Sequence, residues 1–110
     1  MTWLALLAAF AAGSAGRTPA KVFTITISEM AFSAAPTSVV AGDAIEWTNR
    51  DVVAHTVTAK NGAWDVTVAP GKTVRITMKS AGTFDYFCRF HPNMTSRIVV
   101  KRPKWQHGNG

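Results

Sequence analysis

Hydrophobic and polar residues alternate in short runs along most of the chain. Within 22–28, Phe23, Ile25 and Ile27 fall on one face and the intervening Thr and Ser residues on the other. This period of two residues predicts a half-buried β-strand. The segment 73–78 repeats the pattern.

Similar β-rich runs recur at 38–40, 44–48, 55–59, 64–68, 83–88 and 97–101, separated by turns rich in Gly, Asn, Asp and Pro. No segment after residue 16 sustains a helical period over ten residues. Short strands at near-regular spacing predict an all-β sandwich, and Trp47 is expected in its core.

The two ends of the chain differ from this pattern. Residues 1–12 are apolar, too few for the roughly 20 of a membrane span, and small residues follow at 13–16. This order predicts a secretory signal peptide over 1–16, cleaved near Ala15 or Gly16. Since no Lys or Arg precedes the apolar run, retention as a tether is the alternative. The folded domain is expected at 17–102, with a flexible polar tail at 103–110, in a periplasmic or otherwise exported protein.

The chain is basic, with 12 Lys and Arg, 6 Asp and Glu and a formal net charge of +6. Such a balance favours an acidic partner or an anionic surface. Outside the run at 101–104 the basic residues are scattered and no nucleic-acid motif accompanies them, so nucleic acid is not an expected partner.

One short segment carries the candidate chemistry. Cys88, His91 and Met94 place a thiolate, an imidazole and a thioether within seven residues, and His55 opens an earlier predicted strand. A single Cys in an exported protein cannot form an internal disulfide, so Cys88 is either a buried apolar residue or a ligand. Two His, one Cys and a weak axial Met form the ligand set of a blue-copper electron-transfer site.

Other sites fit these residues less well. Haem attachment needs a second Cys before the His, which is missing. A structural zinc site needs four Cys or His ligands. His55, Cys88 and His91 supply three, so the fourth would have to be His107 in the tail. For a Cys–His nucleophile, no orienting Asn or Asp can be named. Copper is therefore the expected cofactor, one ion per chain.

The sequence resembles the cupredoxins, and among them the amicyanin and plastocyanin group. The resemblance rests on the segment 82–94, whose Cys-x-x-His-Pro-x-Met spacing is of the amicyanin kind, on 47–49, on 55–57 and on the turn 69–72. It implies an eight-strand Greek-key sandwich with copper at one end, bound by His55, Cys88, His91 and Met94. Two positions depart from the family pattern. Thr56 stands where Asn is common, and Ser96 where Gly is common.

The resemblance also implies a function. The expected protein is a monomer that shuttles single electrons through a mononuclear type 1 copper site to redox partners with an acidic docking surface. It is not expected to be an enzyme, because the four ligands leave no position for a small-molecule substrate. The alternative is an exported copper-binding or delivery protein without a dedicated redox partner.

Overall fold

β-Branched residues, including threonine, and aromatic residues fill the alternating segments. These segments form strands in the computed structural model, which describes residues 20–104. The eight strands are β1 (Val22–Ser28), β2 (Ala31–Phe32), β3 (Ala44–Asn49), β4 (His55–Ala59), β5 (Asp65–Val68), β6 (Thr73–Thr77), β7 (Gly82–Cys88) and β8 (His91–Val100). The predicted signal peptide and residues 105–110 of the predicted tail lie outside the described residues. In the range 20–104, the chain has no helix of the length and apolarity that a membrane crossing requires.

The strands form two four-stranded sheets, in the order β2-β1-β3-β6 and β5-β4-β7-β8. Strands β1 and β3 pair in parallel, and the other strand pairs are antiparallel. The predicted all-β sandwich of about eight strands is confirmed.

The strand boundaries depart from the sequence expectation in three places. Strand β2 was not expected, because the turn before it is formed by Glu29 and Met30, both with positive φ (53° and 61°) and neither a typical turn residue. At 38–40 only an isolated bridge forms, between Val40 and Lys101. Strand β8 begins at His91 rather than at residue 97, because the expected ligand loop pairs with β7.

The core lies between the sheets and is built from the inward positions of the alternating runs. Ile25, Ile27 and Trp47 are fully buried, as the sequence pattern predicts. The Trp47 indole Nε1 donates a hydrogen bond to the Tyr86 hydroxyl at 3.3 Å, across the two sheets. This bond satisfies the polar atom of a large apolar side chain inside the sandwich.

The sandwich has two distinct ends. At one, which we call the cysteine end, β7 finishes at Cys88, β8 begins at His91 and β4 begins at His55. At the other, the far end, Gly82 at the start of β7 pairs with Val100 at the finish of β8. Six residue steps along β7 separate the two ends by about 20 Å.

Candidate metal centre

Strand pairing brings the candidate ligands to the cysteine end. Cys88 and His91 face each other across the hairpin of β7 and β8, with Arg89 and Phe90 in the turn. His55, more than thirty residues earlier, arrives there because β4 pairs with β7. Two strands that are distant in sequence but adjacent in the sheet therefore supply the two imidazoles and the thiol.

The three side chains meet closely. The Cys88 Sγ lies 3.7 Å from His55 Nδ1 and 3.6 Å from His91 Nδ1, and the three potential ligand atoms all lie within 4.8 Å of one another. The imidazole ring centroids are 5.0 Å apart. Cys88 and His55 are fully buried, while His91 is half-buried, so the site is closed on one side and reaches solvent on the other.

These distances fit a single metal ion. A metal with sulfur and imidazole bonds of about 2.3 and 2.0 Å holds the two donor atoms about 3.5 Å apart in tetrahedral geometry and about 3.7 Å in trigonal geometry. Met94 follows in β8, is 5% exposed and belongs to the same buried cluster as Cys88. Its role as the fourth ligand stays a prediction.

The surroundings of Cys88 favour its thiolate form. Burial by itself raises the pKa of the thiol, but the backbone N–H of Thr56 at 3.3 Å, the two imidazoles and the backbone N–H of Phe90 outweigh it. Together they lower the pKa of Cys88 to about 6. At neutral pH the side chain is thus already in the form that binds metals.

Thr56, the first departure from the family pattern, joins β4 to the turn after Cys88. Its N–H reaches the Cys88 sulfur, and its Oγ1 accepts the backbone N–H of Arg89 at 2.7 Å. A side chain at this position therefore bonds across the site although Asn is absent.

Sequence reasoning missed a polar ring that continues from this bond. The Thr56 hydroxyl contacts that of Thr58 at 2.9 Å, Thr58 donates to Asp65 at 2.8 Å, and the Arg89 Nε donates to the same Asp65 oxygen at 3.0 Å. The ring starts and finishes at Arg89, and we call it the Asp65 ring. Only the pairing of β4 with β5 and β7 brings its members together, so no local motif could reveal it.

Asp51 was also missed, although an acidic residue four positions before His55 is a usable signal. Its Oδ2 lies 2.7 Å from His55 Nε2, which holds the other ring nitrogen, Nδ1, towards Cys88. Its two oxygens also accept the backbone N–H groups of Glu29 and Met30, at 2.7 and 3.0 Å. Burial opposes ionisation of Asp51, but these bonds prevail and lower its pKa. Carboxylates that orient metal-binding imidazoles in this way are common around metal sites.

Ser96, the second departure, causes no backbone strain. It pairs with Tyr86 inside the regular ladder of β7 and β8, and its φ is not positive.

The cysteine end presents an apolar surface. Four of the six large apolar residues that are exposed among the described residues belong to its loops, namely Met30, Val52, Val53 and Phe90. Phe90 is 51% exposed and directly precedes the half-buried His91. We call these four residues the apolar patch. A buried redox centre would therefore have one ligand near a surface suited to a protein partner.

Comparison with known proteins agrees with this geometry. The family described as cupredoxin-like domain matches residues 1–100. Amicyanin-alpha from Methylorubrum extorquens is 32% identical over 103 residues, which cover 88% of this chain and 87% of that protein. The crystal structure of amicyanin from Paracoccus versutus is similar with a TM-score of 0.64 at 27% identity, covering 76% of this chain and 85% of that one. A structure of an amicyanin variant in its Cu(I) form is similar with a TM-score of 0.63 at 26% identity, covering 73% and 82%.

Proposed function

The chain belongs to the cupredoxin-like family, and we propose that it carries single electrons through one copper ion bound by His55, Cys88, His91 and Met94. The observation that carries this proposal is the convergence of two imidazole nitrogens and a thiol within 4.8 Å at one end of the sandwich. The protein is an electron carrier and not an enzyme.

Copper is the cofactor, and when bound it supplies a one-electron couple between Cu(I) and Cu(II). The chain provides a site that changes little between these states. The Asp51 carboxylate fixes the orientation of the His55 ring, and the Thr56 N–H holds the Cys88 sulfur. Ligands held on strand ends by such bonds have little freedom to rearrange, so electron transfer needs little reorganisation.

His91 is the proposed point at which electrons leave and enter. His55 and Cys88 are fully buried, whereas His91 is half-buried and lies next to the exposed Phe90. A partner that covers the apolar patch would therefore approach the site through the His91 ring.

The protein works with redox partner proteins, and we propose that these present acidic groups around their own apolar contact. The net charge of +6 attracts an acidic surface, but docking at the cysteine end depends on the cations at that end. Arg50 and Arg89, both exposed, stand beside the loops of the apolar patch. Function as a monomer in the periplasm or another exported compartment is part of the same proposal.

The test is to add Cu(II) to the purified, metal-free protein and to record its visible spectrum. We expect an intense thiolate-to-copper band that is absent in Cys88→Ser, and rapid electron exchange in stopped-flow mixing with a one-electron reagent. A colourless adduct that is insensitive to Met94→Leu would indicate a zinc-type site. Copper that passes to a chelator faster than it exchanges electrons would favour the delivery alternative.

A further inference from the structure

Five exposed cations gather at the far end of the sandwich, away from the metal centre. Lys21 precedes β1, Lys79 follows β6, and the others belong to the segment after β8. We call them the basic cluster; its members are Lys21, Lys79, Lys101, Arg102 and Lys104.

Backbone hydrogen bonds around one turn hold these segments together. In the turn 40–43, the Ala41 N–H donates to the carbonyl of Lys101 at 2.9 Å. The Gly42 N–H donates to the carbonyl of Met78, which directly precedes Lys79, at 2.8 Å. The Lys21 N–H donates to the carboxylate of Asp43 at 3.1 Å. The folded sheets thus bring together at one end cations that are spread over more than eighty positions in the sequence.

The charges of this cluster are not neutralised. Among residues 20–104 none of the five forms an ion pair, whereas Arg75, Arg89 and Arg97 each pair with a carboxylate. The nearest acid, Asp43, is 4% exposed and accepts the backbone N–H groups of Lys21 and Val40. Its carboxylate is therefore directed inward rather than towards the cationic side chains.

The position of the cluster argues against a role in electron transfer. It lies about 20 Å from Cys88 along β7, so a partner bound there would be far from His91. An acidic redox partner attracted to this end would meet the wrong side of the molecule. The cluster therefore calls for a different partner.

We propose that the basic cluster binds the anionic headgroups of a phospholipid bilayer and so directs the cysteine end away from the membrane. Binding to an anionic bilayer requires several unpaired cations on the protein but no fixed arrangement of them, and each cation contributes to the affinity. Val22 and Val99, 44% and 48% exposed, accompany the cations at this end and can enter the interface.

The exposed side chains at this end support a lipid surface over another polyanion. Beside the cations, the far end exposes the aliphatic residues Val22 and Val99, which the interface of a bilayer can accommodate. A nucleic-acid surface is less suitable, because the one exposed large aromatic residue among those described, Phe90, lies at the cysteine end.

The test uses the full chain and vesicles of phosphatidylglycerol mixed with phosphatidylcholine. Two variants change the net charge equally: Lys79→Glu with Lys101→Glu in the basic cluster, and Lys60→Glu with Lys72→Glu outside it. We expect the parent protein and the second variant to bind alike and the first variant to bind about thirtyfold more weakly. About 0.5 M NaCl should abolish the difference. Vesicles of phosphatidylcholine alone measure any contribution of residues 1–12.

Hydrogen exchange on vesicles tests the orientation without a substitution. Protection is expected at 39–43, 78–80 and 100–104, and none at 88–91. Equal weakening in the two variants would overturn the proposal, because net charge alone would then explain binding. Tighter binding to DNA or to polyglutamate than to the vesicles would also overturn it. Copper loading, followed by the visible band, is expected to be unchanged in both variants, so this proposal can fail independently of the electron-transfer function.

Discussion

Asp51 connects the metal centre to the turn between β1 and β2. Its carboxylate holds His55 and also accepts the N–H groups of Glu29 and Met30, whose positive φ angles are unfavourable for residues other than Gly. We expect Asp51→Ala to lower the free energy of unfolding of the copper-free protein by about 2 kcal/mol, because three polar groups lose a charged acceptor. Denaturant titration measures this change.

The matched control for Asp51→Ala is Asp85→Ala. Asp85 pairs with Arg97, but both side chains are largely exposed, 45% and 64%, and such pairs contribute less than about 1 kcal/mol. In the copper-loaded protein only the Asp51 variant should shift the visible band, since of the two carboxylates only Asp51 contacts a proposed ligand, His55. Equal effects of the two substitutions would show that Asp51 has no special role.

Phe90 contributes to the site through its backbone. Its N–H helps to lower the pKa of Cys88, and a donor to the sulfur favours the reduced state, in which the sulfur carries more negative charge. Phe90→Pro removes this N–H, so we expect the reduction potential to fall by about 40 mV, which corresponds to about 1 kcal/mol of lost electrostatic stabilisation of the sulfur. Phe90→Ala keeps the N–H and is the control. If cyclic voltammetry gives the same potential for both variants, the backbone contribution is absent.

At the scale of elements, the Asp65 ring joins β4, β5 and the turn between β7 and β8. Hydrogen bonds from Thr58 and Arg89 lower the pKa of Asp65, so the ring is intact at neutral pH. We expect Asp65→Ala to accelerate amide exchange at Arg89 and to broaden the visible band, because the turn after Cys88 loses its connection to β5. Glu46→Ala breaks a comparable exposed pair with Arg75, in the other sheet, and is expected to change neither property. An unchanged exchange rate at Arg89 would contradict this role.

The same elements show what a sequence can predict. Alternation identified the strands with a regular inward face, because burial of every second residue leaves a direct record in the sequence. It missed β2, a strand of two residues after a turn without Gly. The first part of β8 was expected to be a loop, but the strand includes this segment together with Pro92.

Some residues of the metal centre could likewise be predicted from the sequence, and others could not. Residues close together in sequence, such as Cys88 and His91, form a motif that chemistry alone can interpret. Asp51 and Asp65 act through contacts that depend on sheet order and register, which no local pattern contains. The gathering of Cys88 and His91 could therefore be predicted from the sequence, and that of His55 partly from the family resemblance, whereas the groups that orient these side chains could not.

At the scale of the whole molecule, the two ends of the sandwich carry different surfaces. The apolar patch lies in the loops at the cysteine end, and the basic cluster lies at the far end. A protein held at one end and free at the other can exchange electrons while it stays attached. The positive charge is therefore distributed unevenly over the folded protein.

Metal binding should stabilise the whole domain, because the site exists only in the folded chain. His55 and Cys88 are thirty-three positions apart, so an unfolded chain does not hold these ligands together. At free copper about a thousandfold above Kd, linkage adds about 4 kcal/mol to the free energy of unfolding. For a domain of this size that corresponds to a rise in Tm of roughly 15–30 °C. Calorimetry with and without copper measures it, and Cys88→Ser should lose most of the rise. A rise that persists in Cys88→Ser would mean that copper binds elsewhere on the chain, and the assignment of this metal centre would then be wrong.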